Sequence, residues 1–187
     1  LSRILGAVLA GGRSRRFGAD KAHALLDGQS LLDRAIAQLA GLTESVVVCG
    51  RRLDGADWLD DAPRAGLGPL GGLLAALDCA AARGFDGVLS TACDMPLFPA
   101  PLAHDLTRSG AAVTAGHHLA GHWPADLAPV LRRHLQDCPD RSMHAWIGVA
   151  RPRRVVWPAG LPNINTREAL IALESDWRVR RTAVRTS

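Results

Sequence analysis

The chain has 187 residues, 48% hydrophobic and 21% charged. That length holds one domain with at most a small appendage and buries a real core, and the composition excludes disordered, collagen-like and coiled-coil classes. The net charge is +4, but four of the 22 basic residues (Arg178, Arg180, Arg181 and Arg185) stand in the last ten positions, and the remaining 18 match the 18 acidic ones.

The positive charge therefore belongs to a tail. No stretch approaches the roughly 20 continuous apolar residues of a membrane span, and Ile4 to Ala10 is too short for a signal core and runs straight into glycines. Cys49, Cys79, Cys93 and Cys138 form no CxxC pair, so the expected setting is the reducing cytoplasm, with no membrane contact, no zinc site and no disulfide framework. Nucleic acid is not an expected partner, because a neutral body without tyrosine lacks the basic face and aromatic platforms such binding needs; the alternative is binding through the tail alone. Within the basic set, 21 residues are Arg and one, Lys21, is Lys.

Taken in chain order, Ile4 to Ala10 is a short apolar run bounded by glycines, the pattern of a buried parallel strand. Ser30 fits an N-cap for a helix over Leu31 to Ala40, with Leu32, Ala35, Ile36 and Leu39 on one face. Ser45 to Cys49 is a second strand. Leu70 to Arg83 reads as a helix stopped by Gly84. A third strand over Gly87 to Cys93, a helix over Pro99 to Arg108, a strand over Ala111 to Ala115 and a helix over Asp126 to Leu135 follow. Arg153 to Trp157 reads as a late strand, and Thr166 caps a closing helix to Leu173. Regular strand-helix alternation predicts a single Rossmann-like α/β domain over residues 1–175, with a mostly parallel central sheet covered by helices on both faces. Residues 176–187 read as an Arg-rich tail of weak periodicity, with no requirement for order.

In such a sheet, ligands bind at the carboxyl ends of the strands. After the first strand stand Gly11-Gly12-Arg13-Ser14-Arg15-Arg16-Phe17-Gly18-Ala19-Asp20-Lys21. Glycines there let backbone N–H groups approach a phosphate, and the basic residues add charge; the bland alternative is a tight turn with solvated arginines. Asp94, at the tip of the third strand, is a hard oxygen ligand of the kind Mg²⁺ on a triphosphate takes, or else a helix cap. Asp60-Asp61 precedes Gly68-Pro69-Leu70-Gly71-Gly72, where a helix N-terminus offers N–H donors to an anion. An acid nearby could accept from the N1–H and exocyclic amine of guanine; the alternative is a flexible loop with two solvated carboxylates. Asn163 and Asn165, alternating across Ile164, face one side of an extended segment and could hold a heterocycle by paired amide hydrogen bonds. His117, His118 and His122 cluster in the segment Gly116 to Pro124, which reads as a loop, where Trp123 either packs or walls a flat ligand. No Ser or Cys stands in a nucleophile-elbow context.

Leu9-Ala10-Gly11-Gly12, with Ser14, Arg16, Gly18, Asp20 and Lys21, resembles the LAGGxSxRMGxDK loop of nucleotidyltransferases. Taken with Gly68-Pro69-Leu70-Gly71-Gly72, Cys93-Asp94-Met95-Pro96 and Asn163-Ile164-Asn165-Thr166, the chain is most similar to the molybdenum cofactor guanylyltransferase (MobA) family. The resemblance implies the nucleotide-diphospho-sugar transferase type of fold. It implies transfer of GMP from GTP to molybdopterin, releasing pyrophosphate, with Mg²⁺ as cofactor and no protein nucleophile. It places Leu9, Ala10, Gly11, Gly12, Asp61 and Gly68 at the nucleotide, Lys21 and Arg16 at the phosphates, Asp94 at both nucleotide and metal, and Asn163 and Asn165 on the pterin side. It also implies transient contact with molybdenum-insertion enzymes and acceptor molybdoenzymes. The chain departs from the family pattern at Phe17, where Met is usual, at Gly50-Arg51, where Asn-Arg is common, and ahead of Trp123-Pro124, where His-Pro is usual. Alternatives are a CTP-dependent cytidylyltransferase, a sugar-1-phosphate nucleotidyltransferase and a catalytically dead nucleotide sensor.

Overall fold

The computed structural model describes residues 2–11, 17 and 20–185, with the backbone alone from residue 178 onward. The strands are β1 (Ile4–Leu9), a separate ribbon of β2 (Leu25–Leu26) and β3 (Gln29–Ser30), β4 (Ser45–Cys49), β5 (Trp58–Leu59), β6 (Gly87–Thr91), β7 (Ala112–Thr114), β8 (His117–Pro124) and β9 (Arg153–Val155). Seven of them form one sheet in the order β5-β4-β1-β6-β8-β7-β9. From β5 to β6 all neighbours are parallel, β8 is antiparallel to both β6 and β7, and β9 returns parallel to β7.

Two apolar layers follow from the alternation of β1. Leu5, Ala7 and Leu9 face α2 (Pro69–Ala82), α4 (Ala128–Asp137) and α5 (Met143–Ala150). Ile4, Val8 and Ala10 face α1 (Leu31–Ala40) and α3 (Ala100–Thr107). Helix α2 is apolar nearly all round, with Leu70, Leu73, Leu74 and Leu77 fully buried, as a helix laid across the middle of a sheet must be. Gly6 lets α1 and the turn after it close on β1, since a Cβ there would lie 3.2 Å from Leu39 Cβ and 2.7 Å from Thr43 Oγ1. The caps match the sequence: Ser30 Oγ accepts from Asp33 N at 3.0 Å, and Thr166 Oγ1 accepts from Ala169 N at 3.2 Å. The last helix, α6 (Arg167–Arg185), runs beyond Leu173 and across the boundary drawn between residues 175 and 176. No helix among the described residues is long and apolar enough to cross a membrane.

The segment Gly116 to Pro124 is a correction. From His117 onward it is strand β8, not a loop, and it inserts an antiparallel strand into the sheet. Its run His-His-Leu-Ala-Gly-His-Trp lacks β-branched residues and shows no apolar alternation, so periodicity could not mark it. Trp123 is no ligand wall: it is fully buried against Trp146, with ring centroids 6.0 Å apart. His122 is buried on the other face, its Nδ1 donating to the Gly110 carbonyl at 2.8 Å, and burial pushes its pKa down. Helix α5 and the short strands β2, β3 and β5 also escaped the sequence, the strands because each spans two residues.

Ser90 carries a buried polar network between β6 and β8. Its Oγ donates to the Leu119 carbonyl at 2.8 Å and accepts from Trp123 Nε1 at 3.0 Å. Ser90→Ala leaves the buried indole N–H without that partner and should destabilise the fold by about 1–3 kcal/mol. Urea unfolding should show this as a lower midpoint at unchanged slope.

Candidate active site

The carboxyl ends of β4, β1 and β6 open into a cleft of about 160 Å³, roofed by the N-terminus of α2. Leu9, Ala10 and Gly11 leave β1 along its floor, Cys49 and Arg51 end β4, Cys93 and Asp94 follow β6, and Gly68, Pro69 and Gly72 begin α2. Strand pairing brings them together: Leu9 is in register with Cys49, and Val8 with Thr91.

Lys21 is the centre of this arrangement. Asp20 caps a single 3-10 turn, Lys21–His23, by accepting from Ala22 N at 3.2 Å. The turn carries Lys21 into the cleft, where the side chain is buried. Its Nζ lies 3.4 Å from Asp94 Oδ2 and donates to Asn165 Oδ1, also at 3.4 Å. A buried ammonium without such partners would carry a large desolvation cost. The closing segment is fixed in turn by Ile164, which is buried and whose N–H donates to the Asp94 carbonyl at 2.9 Å. Asn163 and Asn165 flank it, both exposed on the same side, as the alternation requires.

Of the two acids ahead of α2, Asp60 is exposed and Asp61 half-buried. Asp61 lines the cleft and accepts backbone hydrogen bonds from Gly66 and Leu67, while burial raises its pKa. The glycines of the Gly68–Gly72 motif serve packing more than anion binding. A Cβ on Gly71 would meet Asp61 Cβ at 2.9 Å, and one on Gly72 would meet Cys49 Cβ at 2.9 Å. Gly71 N–H is already spent on the Gly68 carbonyl at 3.1 Å, and Pro69 has no N–H to offer. The helix end thus presents fewer free donors than its sequence suggests.

Two thiols stand in the cleft wall, and burial disfavours the thiolate of each. Burial and the Asp61 charge push Cys49 up to about 12, and burial beside Asp94 raises Cys93. Both are neutral at physiological pH. Among the described residues no group of three or more His, Cys, Asp or Glu could hold a metal ion alone. Asp94 suits a hard cation that takes its remaining ligands from phosphate and water.

Leu9, Ala10, Gly11, Lys21, Asp61, Gly68 and Asp94 thus line one cleft, and Asn165 reaches it through Lys21. Asn163 is on the same side without lining the cleft. Gly12 and Arg16 lie outside the described residues. The residue underrated by the sequence is Arg51, which lines the cleft and grips Asp20; its signal was its place directly after a central strand.

Residues 6–155 match the model of the MobA-like NTP transferase domain. A molybdenum cofactor guanylyltransferase from Acidiphilium cryptum is 36% identical, over 93% of this chain and 95% of the relative. The chain belongs to the MobA-like NTP transferase family. A second molybdenum cofactor guanylyltransferase, from Rhodobacter capsulatus, is 33% identical over 94% of this chain and 97% of its own. Among solved structures, the molybdopterin-guanine dinucleotide biosynthesis protein A of Archaeoglobus fulgidus superposes with a TM-score of 0.73, covering 93% of this chain and 98% of that one at 22% identity, which bears on the fold alone. This family member is accordingly a nucleotidyltransferase of molybdenum cofactor biosynthesis, with the α/β fold and mostly parallel mixed sheet of that class.

Asp61 gives the site a pH signature. A carboxyl whose native pKa is raised favours the fold in its protonated form; that contribution is whole below the ordinary value of 3.8 and fades as pH rises through the native value. Asp61→Asn abolishes it. The stability of the wild type relative to Asp61→Asn, from urea unfolding, should therefore fall as pH rises above 3.8 and level off towards neutrality. A difference independent of pH contradicts the buried setting of this carboxyl.

Proposed function

We propose that the chain transfers GMP from GTP to molybdopterin, giving the guanine dinucleotide form of the cofactor and pyrophosphate. An oxygen of the molybdopterin phosphate attacks the α-phosphorus of GTP; the new P–O bond forms as the bond to the β-phosphate oxygen breaks. Such transfer depends on positioning and charge neutralisation rather than on a covalent enzyme intermediate, in keeping with the two neutral thiols of the cleft.

One observation carries the reading: the chain's single lysine is buried at the strand ends between Asp94 and Asn165, where two substrates would meet. In this reading Lys21 takes the triphosphate, with Leu9, Ala10, Gly11 and Gly68 along the nucleotide and Arg16 adding positive charge. Gly12 is assigned to the nucleotide by the loop motif alone. Asp61 accepts from the Watson–Crick edge of guanine, whose paired donors cytosine and adenine do not offer. It retains lone pairs for that beyond the two backbone hydrogen bonds it accepts. Asn163 and Asn165 face the pterin. Asp94 holds Mg²⁺, which when bound neutralises charge on the triphosphate. The names of the relatives from Acidiphilium cryptum and Rhodobacter capsulatus support guanine over cytosine. The setting is the cytoplasm, with transient contacts to molybdenum-insertion enzymes and acceptor molybdoenzymes.

The test is pyrophosphate release in the presence of Mg²⁺, comparing GTP, CTP and ATP with and without molybdopterin. Turnover with GTP alone, and only with molybdopterin, is expected. Equal turnover with CTP assigns a cytidylyltransferase instead, and turnover with a sugar phosphate but none with molybdopterin assigns a sugar nucleotidyltransferase. Lys21→Ala and Asp94→Ala should each lower turnover at least about tenfold, some 1.4 kcal/mol in the barrier; near-normal rates in either variant remove that residue from the mechanism.

A further inference from the structure

We infer that Arg51 and Asp20 form a positioning pair that sets the place of Lys21 in the cleft, an inference whose kinetic consequence rests on the transferase reading. Lys21 sits on a turn only three residues long, which has no extended helix behind it to hold its direction. Asp20 begins that turn. Arg51 grips Asp20 with both terminal nitrogens, Nη1 to Oδ2 at 2.5 Å and Nη2 to Oδ1 at 2.8 Å. The planar fork fixes orientation as well as distance, which a single contact does not. His23, at the far end of the turn, borders the pair, its Nε2 lying 3.5 Å from Arg51 Nη1 and 3.7 Å from Asp20 Oδ2.

The other end of the tie is rigid. Arg51 follows β4, and Gly50 between them donates its N–H to the Leu59 carbonyl at 2.9 Å. Gly50 has φ +76°, and a Cβ there would fall 2.8 Å from Gly11 Cα and 3.0 Å from Asp61 Oδ1. The chain ends of β1 and β4 therefore touch backbone to backbone, a contact that the more usual Asn at this position would have to push apart. This close approach aims Arg51 across the cleft mouth towards Asp20. Of the Asn-Arg of the family pattern this chain keeps only the arginine, and Arg51 lines the wall of the cleft.

The pair also favours the fold, since the Arg51 fork holds the Asp20 carboxyl below its ordinary range, but with 23% and 40% of the side-chain surface exposed that contribution is modest. The Arg51 Nε is buried without a hydrogen-bond partner, so the two terminal nitrogens carry the contact to Asp20. What the pair does is join the loop after β4 to the turn that presents Lys21.

Lys21 being the chain's only lysine makes the claim directly measurable. Trinitrobenzenesulfonate labelling, with the Lys21 peptide separated from the amino terminus by mass spectrometry, reports on this one side chain. Asp20→Asn keeps the cap acceptor and loses the charge of the fork; Arg51→Gln loses the fork; Arg51→Lys keeps charge and loses planarity. In all three, Lys21 should label at least about fivefold faster while the thermal midpoint stays near that of the wild type. The kcat/KM for GTP should fall at least about fivefold, because the displaced ammonium meets the triphosphate both as it binds and as it reacts. The Asp20→Asn/Arg51→Gln double variant should be no worse than the worse single one, as expected of two groups acting as a unit. Unchanged labelling in Asp20→Asn and Arg51→Gln overturns the inference. Faster labelling in a protein that turns over no nucleotide even as wild type counts for the pair and against the transferase reading.

Discussion

A single buried ammonium group organises this molecule. Lys21 gives up most of its hydration and recovers it from two oxygens supplied by distant parts of the chain, one after β6 and one 144 residues further along from the lysine itself. Removing either acceptor leaves a buried charge short of a partner, which is far more costly than never having buried it. The loops after β1 and β6 and the segment before α6 must therefore meet at one point, and the sheet and its helices are arranged so that they do.

The wall nearest α6 depends on a small apolar cluster of its own. Phe17, Leu26, Leu31 and Ile164 are buried together, with Leu170, Leu173 and Trp177 of α6 packed against them. Arg34 of α1 lies over the Trp177 ring, 4.9 Å from its centroid. This cluster fixes Phe17, inside the loop between β1 and Lys21, and Ile164, between the two asparagines. Phe17 stands where the family pattern has Met, and its buried apolar site suits either side chain. The closing helix thereby braces the acceptor of the Lys21 hydrogen bond.

Much of this was legible in the sequence, for physical reasons that differ by element. Parallel strands such as β1 and β6 read as continuous apolar runs because helices bury both their faces, and α1 announced itself through Ser30 and one apolar stripe. Lys21 stood out by its isolation among arginines, Asp94 by its place at a strand tip. Strand β8 could not be read, because its burial is achieved with His, Ala, Gly and Trp rather than with an alternating pattern. The role of Gly71 and Gly72 was only half visible: glycine before a helix signals close approach, but only the fold shows that the approaching groups are Asp61 and Cys49. Arg51 illustrates the remaining limit, since its importance lies in a fork to Asp20, 31 residues away.

The most direct measurement follows the lysine itself. Reductive dimethylation with ¹³C-formaldehyde keeps the charge of Lys21 and gives it a methyl resonance distinct from that of the amino terminus. On titration with GTP in the presence of Mg²⁺, that resonance should move and saturate with the binding curve, and Asp94→Asn should displace it even before nucleotide is added. A resonance that stays fixed while GTP saturates the protein would place the triphosphate elsewhere and contradict the account.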